Sequence, residues 1–349
     1  MSKNDQNIVN KINLHHKKIT PLMIDINNKF KNKTNLNTDK YYRYLKKPDK
    51  ITENGYITII FGNSKYLPGI LVSGYFIKYI CKSKFNTICL VQDNPYYENG
   101  ILRFEGLTSD EIEDIKKIYD VVIGIDVLHN KYLSNNNHHS KNMTYLPTKA
   151  LVLGITLYQK LLYYDSSTII LRNIDYYFTK YNKSTYRNFF SINGSKRGLT
   201  ANIFIFKPKK FYIDKALYLL DNYNTYFGKS FFTNDESIIY YTIFPNWNNN
   251  QLDQSKFIES IYNDLNKNID KNSNINYYKN NNYEVSLNMA FKPFLYPYFK
   301  QIYFNNRDKF SLDFTLYNIW DNAAKKMLKK FKELTKYFEH IKTYRYTKL

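Results

Sequence analysis

The chain has 349 residues, 43% of them apolar, which is enough for one sizeable core, so one principal globular domain with additions is expected. Its 51 Lys and Arg against 30 Asp and Glu give a net charge of +21, but the charge is spread along the chain and forms no stripe, which disfavours a nucleic-acid partner. Two cysteines, Cys81 and Cys89, exclude a disulfide framework or a cysteine-rich zinc site; no apolar run approaches the roughly 18 residues that span a bilayer, so no membrane span and a cytoplasmic location are expected.

Residues 1–50 carry 12 Lys and Arg against 4 Asp with no sustained apolar period. They predict a basic, mobile N-terminal extension, of which 19–26 is apolar enough to dock on the body. The main domain is expected over 51–300 and a helical C-terminal extension over 301–349. A strand is predicted over 56–61 and a helix over 68–80, opened by Pro68 in its first turn. A second strand follows at 87–91. Thr108 and Glu111 have the spacing of a capping box, which starts a helix running to about 119. The strand 121–125 comes next, and Pro147 opens a helix to about 159. Residues 161–164 form an apolar strand that stops at Asp165-Ser166-Ser167, after which β character resumes over 168–171. Farther on, 188–192 and 202–206 read as strands, and 210–223, 235–244 and 322–341 as helices. The Asn- and Lys-rich stretch 266–282 predicts a surface loop.

Strands alternating with helices imply an α/β fold with a mainly parallel sheet. In such sheets ligands bind beyond the carboxyl ends of the strands, where Gly62-Asn63-Ser64 and Asp165-Ser166-Ser167 both fall. None of the six histidines, His129 among them, has a recognisable catalytic spacing. Lys149, placed in the first turn of the helix opened by Pro147, would gain positive potential from the helix dipole.

The segment 148–178, TKALVLGITLYQKLLYYDSSTIILRNIDYYF, resembles the core of glycosyltransferase family 8, the glycogenin-like enzymes. There a Thr-Lys helix leads to a Leu-Tyr-Leu-Asp-x-Asp strand and then to Arg-Asn-Ile-Asp-x-x-Phe. Residues 59–74, IIFGNSKYLPGILVSG, are similar to the family's first strand, nucleotide loop and first helix. Residues 201–208, ANIFIFKP, and 232–247 resemble its later strand and its Asp-Gln helix, with Asp235 in the Asp position. The resemblance covers roughly 55–295. It implies a GT-A-type, Rossmann-like fold and a retaining hexosyltransferase that uses a UDP-sugar. It further implies catalytic roles for Asp165, Asp235 and Lys149, and donor contacts from Ile60, Asn63, Tyr66, Lys149, Asp165, Ser166, Ser167, Thr200 and Lys292.

Two departures bear on the cation. Ser167 stands at the family's third acidic position, and Ser286, in SLNMAFKPF, stands at its metal-binding histidine. A serine hydroxyl is a poorer partner than carboxylate or imidazole for Mn²⁺ or Mg²⁺, so a cation held through Asp165 is expected to bind weakly or not at all. Thr200 and Asn202 replace the Asn and Gly of the family's Asn-Ser-Gly, which reshapes the acceptor side. The expected partners are a nucleotide-sugar donor, a glycan or protein acceptor and a second copy of the chain. The alternative is a catalytically silent relative that binds a nucleotide, glycan or protein.

Overall fold

The computed structural model describes residues 39–62, 64–129, 141–166, 168–180, 188–192, 199–222, 235–243, 247–251, 257–259, 285–287 and 311–339, with helical positions at 21, 24–26 and 28–30. In chain order the elements begin with β1 (Tyr42–Lys46) and β2 (Asn54–Ile60), followed by a 3-10 turn at Ser64–Tyr66. Helix α1 (Leu67–Tyr75) continues as a π turn over Phe76–Ile80, and β3 (Asn86–Gln92) precedes a hairpin of β4 (Tyr96–Glu98) and β5 (Ile101–Phe104). Then come α2 (Ser109–Ile118), β6 (Val121–Ile125), a 3-10 segment over Lys141–Gly154, β7 (Lys160–Tyr164), β8 (Ile169–Ile170) and α3 (Tyr176–Lys180). The remainder comprises β9 (Asn188–Ile192), β10 (Leu199–Phe206), α4 (Phe211–Asp221), α5 (Asp235–Ile243), β11 (Trp247–Gln251), β12 (Phe257–Glu259), β13 (Val285–Leu287), α6 (Ser311–Lys330) and a 3-10 segment over Lys332–Phe338.

The central sheet has the order β1-β6-β3-β2-β7-β10-β9-β11. Its inner strands β6, β3, β2 and β7 run parallel; β1, β10 and β9 pair antiparallel with their inner neighbours, and β11 runs parallel to β9. This is a mixed, mainly parallel α/β sheet, as the sequence predicts. Every residue of β2, β3, β6 and β7 is buried, as parallel strands covered on both faces require.

Alternation along the strands divides the core into two layers. Ile88 and Leu90 of β3 face the 3-10 segment, α4 and α5, while Cys89 and Val91 face α1, α2 and α6. Helix α1 is buried along its whole length because it lies between the sheet and α6, whose Trp320, Ala323, Ala324 and Met327 join the same cluster. Gly74 is required there, since a Cβ would stand 2.6 Å from the Tyr119 ring. Helix α2 starts with the predicted capping box. The Thr108 hydroxyl accepts from Glu111 N–H, and the Glu111 carboxylate accepts from Thr108 N–H at 2.8 Å.

Three local readings need correction. Residues 42–46, read within the mobile extension, form edge strand β1, and Phe30 joins the core beside Ile26, which lies in the stretch expected to dock. The helix predicted from Pro147 to 159 is a 3-10 segment ending at Gly154. Pro147 supplies no N–H, and the Tyr42 hydroxyl takes the Leu151 carbonyl at 2.7 Å, an acceptor that an α-helix would use internally. The helix read over 322–341 begins earlier, at Ser311, and breaks at Phe331, where φ is −124° and ψ is 78°. The 3-10 turn beyond it is tied to α2 by Lys336 and Tyr337, which both donate to Asp114.

Candidate functional site

Two chain exits meet at the carboxyl edge of the parallel strands. The first follows β2, where Ile60 is buried and Gly62 has a φ of +79°. A Cβ at Gly62 would meet the Phe104 ring at 3.2 Å, so both the backbone and the crowding call for glycine. The Gly62 N–H donates to Gln92 Oε1 at 2.8 Å, anchoring the turn to the end of β3. Asn63 lies outside the described residues. Tyr66 closes the 3-10 turn and packs against the cluster that contains Ile169, just beyond the second exit.

That second exit follows β7, the strand paired with β2. Tyr163 and Asp165 are two residues apart and share one side of the chain. The Tyr163 hydroxyl donates to Asp165 Oδ1, and Lys149 Nζ lies 3.3 Å from the same oxygen and 5.3 Å from the centre of the Tyr163 ring. The Lys149 side chain is only 8% exposed, against 24% for Asp165, so the ammonium is largely desolvated while the carboxylate is partly exposed. The Asp165 carbonyl accepts from Thr168 N–H at 2.9 Å, and Ser73 Oγ of α1 donates to the Thr168 carbonyl at 3.3 Å. Ser73 also reaches the Ser166 carbonyl at 3.5 Å, so α1 holds the turn from beneath. Ser166 is half-buried, and Ser167 lies outside the described residues.

Lys149 sits well inside its 3-10 segment and not in a first turn, so the expected contribution from a helix dipole is corrected. Its placement follows from Thr148, a fully buried neighbour whose Oγ1 accepts from Leu128 N–H at 2.9 Å. That bond ties the segment to the chain leaving β6.

Asp235 opens α5, Thr200 lies in β10 opposite Ser191, and Lys292 is outside the described residues. Ser286 lies in β13 directly opposite Ile169 of β8, which brings its backbone beside the strand that continues from the Asp165 turn. The side chains of Thr200, Asp235 and Ser286 are outside what is described.

Sequence reasoning passed over Tyr163, Ser73, Gln92 and Arg43. Only Tyr163 carried a signal, its two-residue spacing from Asp165. Arg43 of β1 reaches the same edge of the sheet, donating to both oxygens of Asp93 at 3.0 and 2.6 Å and lying 2.9 Å from Asp126. Its hydrogen bond to Asp93 raises the guanidinium pKa further despite burial, so Arg43 stays charged. The Asn-Ile-Asp turn instead forms a structural hub. Asp175 accepts from Tyr56 OH at 2.8 Å, Ser83 Oγ at 2.7 Å and Lys84 N–H at 3.0 Å.

The donor set fits a divalent cation poorly. Asp165 is the acidic member of its turn, and its Oδ1 already receives a phenol and an ammonium, so a cation would have to compete with Lys149 for this carboxylate. Among the described residues no group of three or more His, Cys, Asp or Glu side chains could hold a metal ion. No helix among them is long and apolar enough to cross a membrane.

No family model matches the chain. Uncharacterized protein R707 of Acanthamoeba polyphaga mimivirus is 32% identical over 126 residues, which is 35% of this chain and 39% of that protein. The match therefore spans about two fifths of the relative's length. Among solved structures, the galactosyltransferase LgtC in complex with donor and acceptor sugar analogs is 11% identical, covers 78% of this chain and 95% of its own, and has a TM-score of 0.48. The glycosyltransferase GlyE of Streptococcus pneumoniae is 13% identical, covers 80% and 64%, and has a TM-score of 0.47. Mouse xyloside xylosyltransferase 1 is 8% identical, covers 67% and 97%, and has a TM-score of 0.39.

Proposed function

We propose that this chain is a glycosyltransferase that binds a UDP-sugar along the carboxyl edge of β2 and β7 and transfers the hexose, with retention, to a glycan or protein acceptor. The observation that carries the reading is the desolvated Lys149 ammonium poised on Asp165, on the turn beside the exit of β2. Breaking a glycosidic bond to a nucleoside diphosphate leaves about two negative charges on the leaving group, which need a fixed positive partner in a site of low dielectric. Lys149 supplies that charge, and Asp165 holds the ammonium until a diphosphate takes it over. Ile60, Asn63 and Tyr66 are assigned to the nucleoside, Ser166 and Ser167 to the donor turn, Asp235 and Thr200 to the sugar, and Lys292 to the diphosphate. We assign the cation no step, because Lys149 already competes for the one carboxylate of the turn.

One observation favours the second reading, a silent relative that binds a nucleotide without transfer. Oδ1 of Asp165 already receives both Tyr163 and Lys149, which leaves less of its carboxylate for a reacting sugar. A thermal-shift panel of UDP, GDP and their sugar conjugates, followed by donor hydrolysis, tests both. UDP-selective stabilisation with hydrolysis supports the transferase, since a ligand that binds the native state raises its stability by mass action. Stabilisation without any turnover supports a silent relative that binds a nucleotide, and no stabilisation by any nucleotide ends the transferase reading and leaves a silent relative that binds a glycan or protein.

A further inference from the structure

We infer that Gln92 is a positioning residue for nucleotide binding; the inference rests on the proposed function, which assigns the turn after β2 to the nucleotide. Gln92 closes β3, is 1% exposed, and uses both halves of its amide. Oε1 accepts from Gly62 N–H at 2.8 Å, and Nε2 donates to the Asn94 carbonyl at 2.9 Å. Its own carbonyl accepts from Leu107 N–H at 2.8 Å. One side chain thus joins the first residue of the nucleotide turn to the chain entering the β4–β5 hairpin, and its backbone grips the chain leaving it.

The surroundings leave little slack. The hairpin's Phe104 ring rests against Gly62. At Gly106, φ is +81° and a Cβ would stand 2.9 Å from the Asn94 carbonyl oxygen that Gln92 binds. A turn held by only the backbone of β2 would sample many conformations, and its nucleotide affinity would fall by the fraction of time spent outside the competent one. The Gln92 amide removes that freedom. Only a side chain that accepts at one atom and donates at the other can satisfy both Gly62 N–H and the Asn94 carbonyl. A carboxylate of the same shape satisfies the first and repels the second, whereas the protonated carboxyl again does both.

The test uses the full chain with the variants Gln92→Glu and Gln92→Met, and UDP as the probe. Binding is measured by calorimetry from pH 5 to pH 8, with exchange of the Gly62 amide followed alongside. For Gln92→Met we expect faster exchange at Gly62 and UDP affinity lowered about tenfold, the scale of losing one partner of a buried hydrogen bond. For Gln92→Glu we expect a similar deficit at pH 8 that narrows toward the wild-type value at pH 5, as the introduced carboxyl protonates. If wild type binds UDP while the Gln92→Glu deficit is absent or the same at every pH, the positioning role is overturned and the nucleotide reading stands. Wild type that fails to bind UDP overturns the nucleotide reading and takes this inference with it. Should Gln92→Met not fold, the pH dependence of Gln92→Glu decides alone.

Discussion

Lys149 and Asp165 stand 3.3 Å apart, nitrogen to Oδ1, on two segments that the fold brings together from either side of β7. Their environments are unequal: the lysine is nearly enclosed and the aspartate partly exposed. On the proposed function, an incoming diphosphate would compete for the ammonium from the exposed side. Replacing Lys149 by methionine keeps the packing against Tyr163 and removes only the charge. UDP affinity should fall by about tenfold to a hundredfold, the worth of a charge-assisted hydrogen bond in a sheltered site. Titration calorimetry on Lys149→Met measures it, and unchanged affinity would remove Lys149 from the donor site.

The cation follows from the same pair. UDP binding by the native chain is expected to be insensitive to EDTA and little improved by Mn²⁺. Ser167→Asp together with Ser286→His restores an acidic and an imidazole donor, and should make UDP binding or donor hydrolysis Mn²⁺-dependent. The backbone of Ser286 lies opposite Ile169, which places the restored histidine on the strand beside the turn. Tight Mn²⁺-dependent turnover by the native protein would refute this prediction.

Asp175 belongs to the 148–178 segment, yet its carboxylate accepts from Tyr56, Ser83, Lys84 and, at 3.5 Å, Asn173 of its own turn. Asp175→Ala leaves the buried Tyr56 hydroxyl without its acceptor. It should lower stability by about 1–3 kcal/mol, with no change in UDP affinity. Chemical denaturation and calorimetry on one preparation separate the two effects, and loss of UDP binding without loss of stability would contradict a structural role.

Lys215, on α4, is fully buried, and burial pushes its pKa down to about 7. In the unfolded chain a lysine titrates near 10.4, so between about pH 7 and 10 the unfolded state binds more protons and stability rises with pH. Below pH 7 the folded state must carry the buried charge, and the cost is largest. Lys215→Met should raise the melting temperature, with a larger gain at pH 6 than at pH 9. Equal gains at both values would show that the buried amine is not what titrates.

The strands were legible where both faces are apolar. Residues 121–125, buried throughout, are a strand at the residues read from the sequence, and the capping box at Thr108 and Glu111 is present. Strand β1 was not legible, because an edge strand needs only partial burial, and Tyr42, Arg43, Tyr44, Leu45 and Lys46 carry little apolar alternation within a basic stretch. The 3-10 segment was misread because Pro147 and a regular apolar period suit an α-helix. What no local pattern encodes is the tertiary hydrogen bond from Tyr42, more than a hundred residues away, that takes the Leu151 carbonyl. At the candidate site the two turns and Lys149 could be located by residue order. The arrangement around them could not, since Ser73, Gln92 and Tyr163 act through contacts that no local pattern encodes.

Strand β1 also shields the fold from self-association. It is short, carries Arg43 and Lys46, and its register shifts between Tyr44 and Lys46. These are features that discourage further strands from adding to a sheet. Behind it lies β6, with all five residues buried. Trimming the chain to residue 50 would strip this cover and leave Val121–Ile125 as an open, uncharged template. A shortened protein of that kind should precipitate or form fibrils even though every residue of the candidate site is still present.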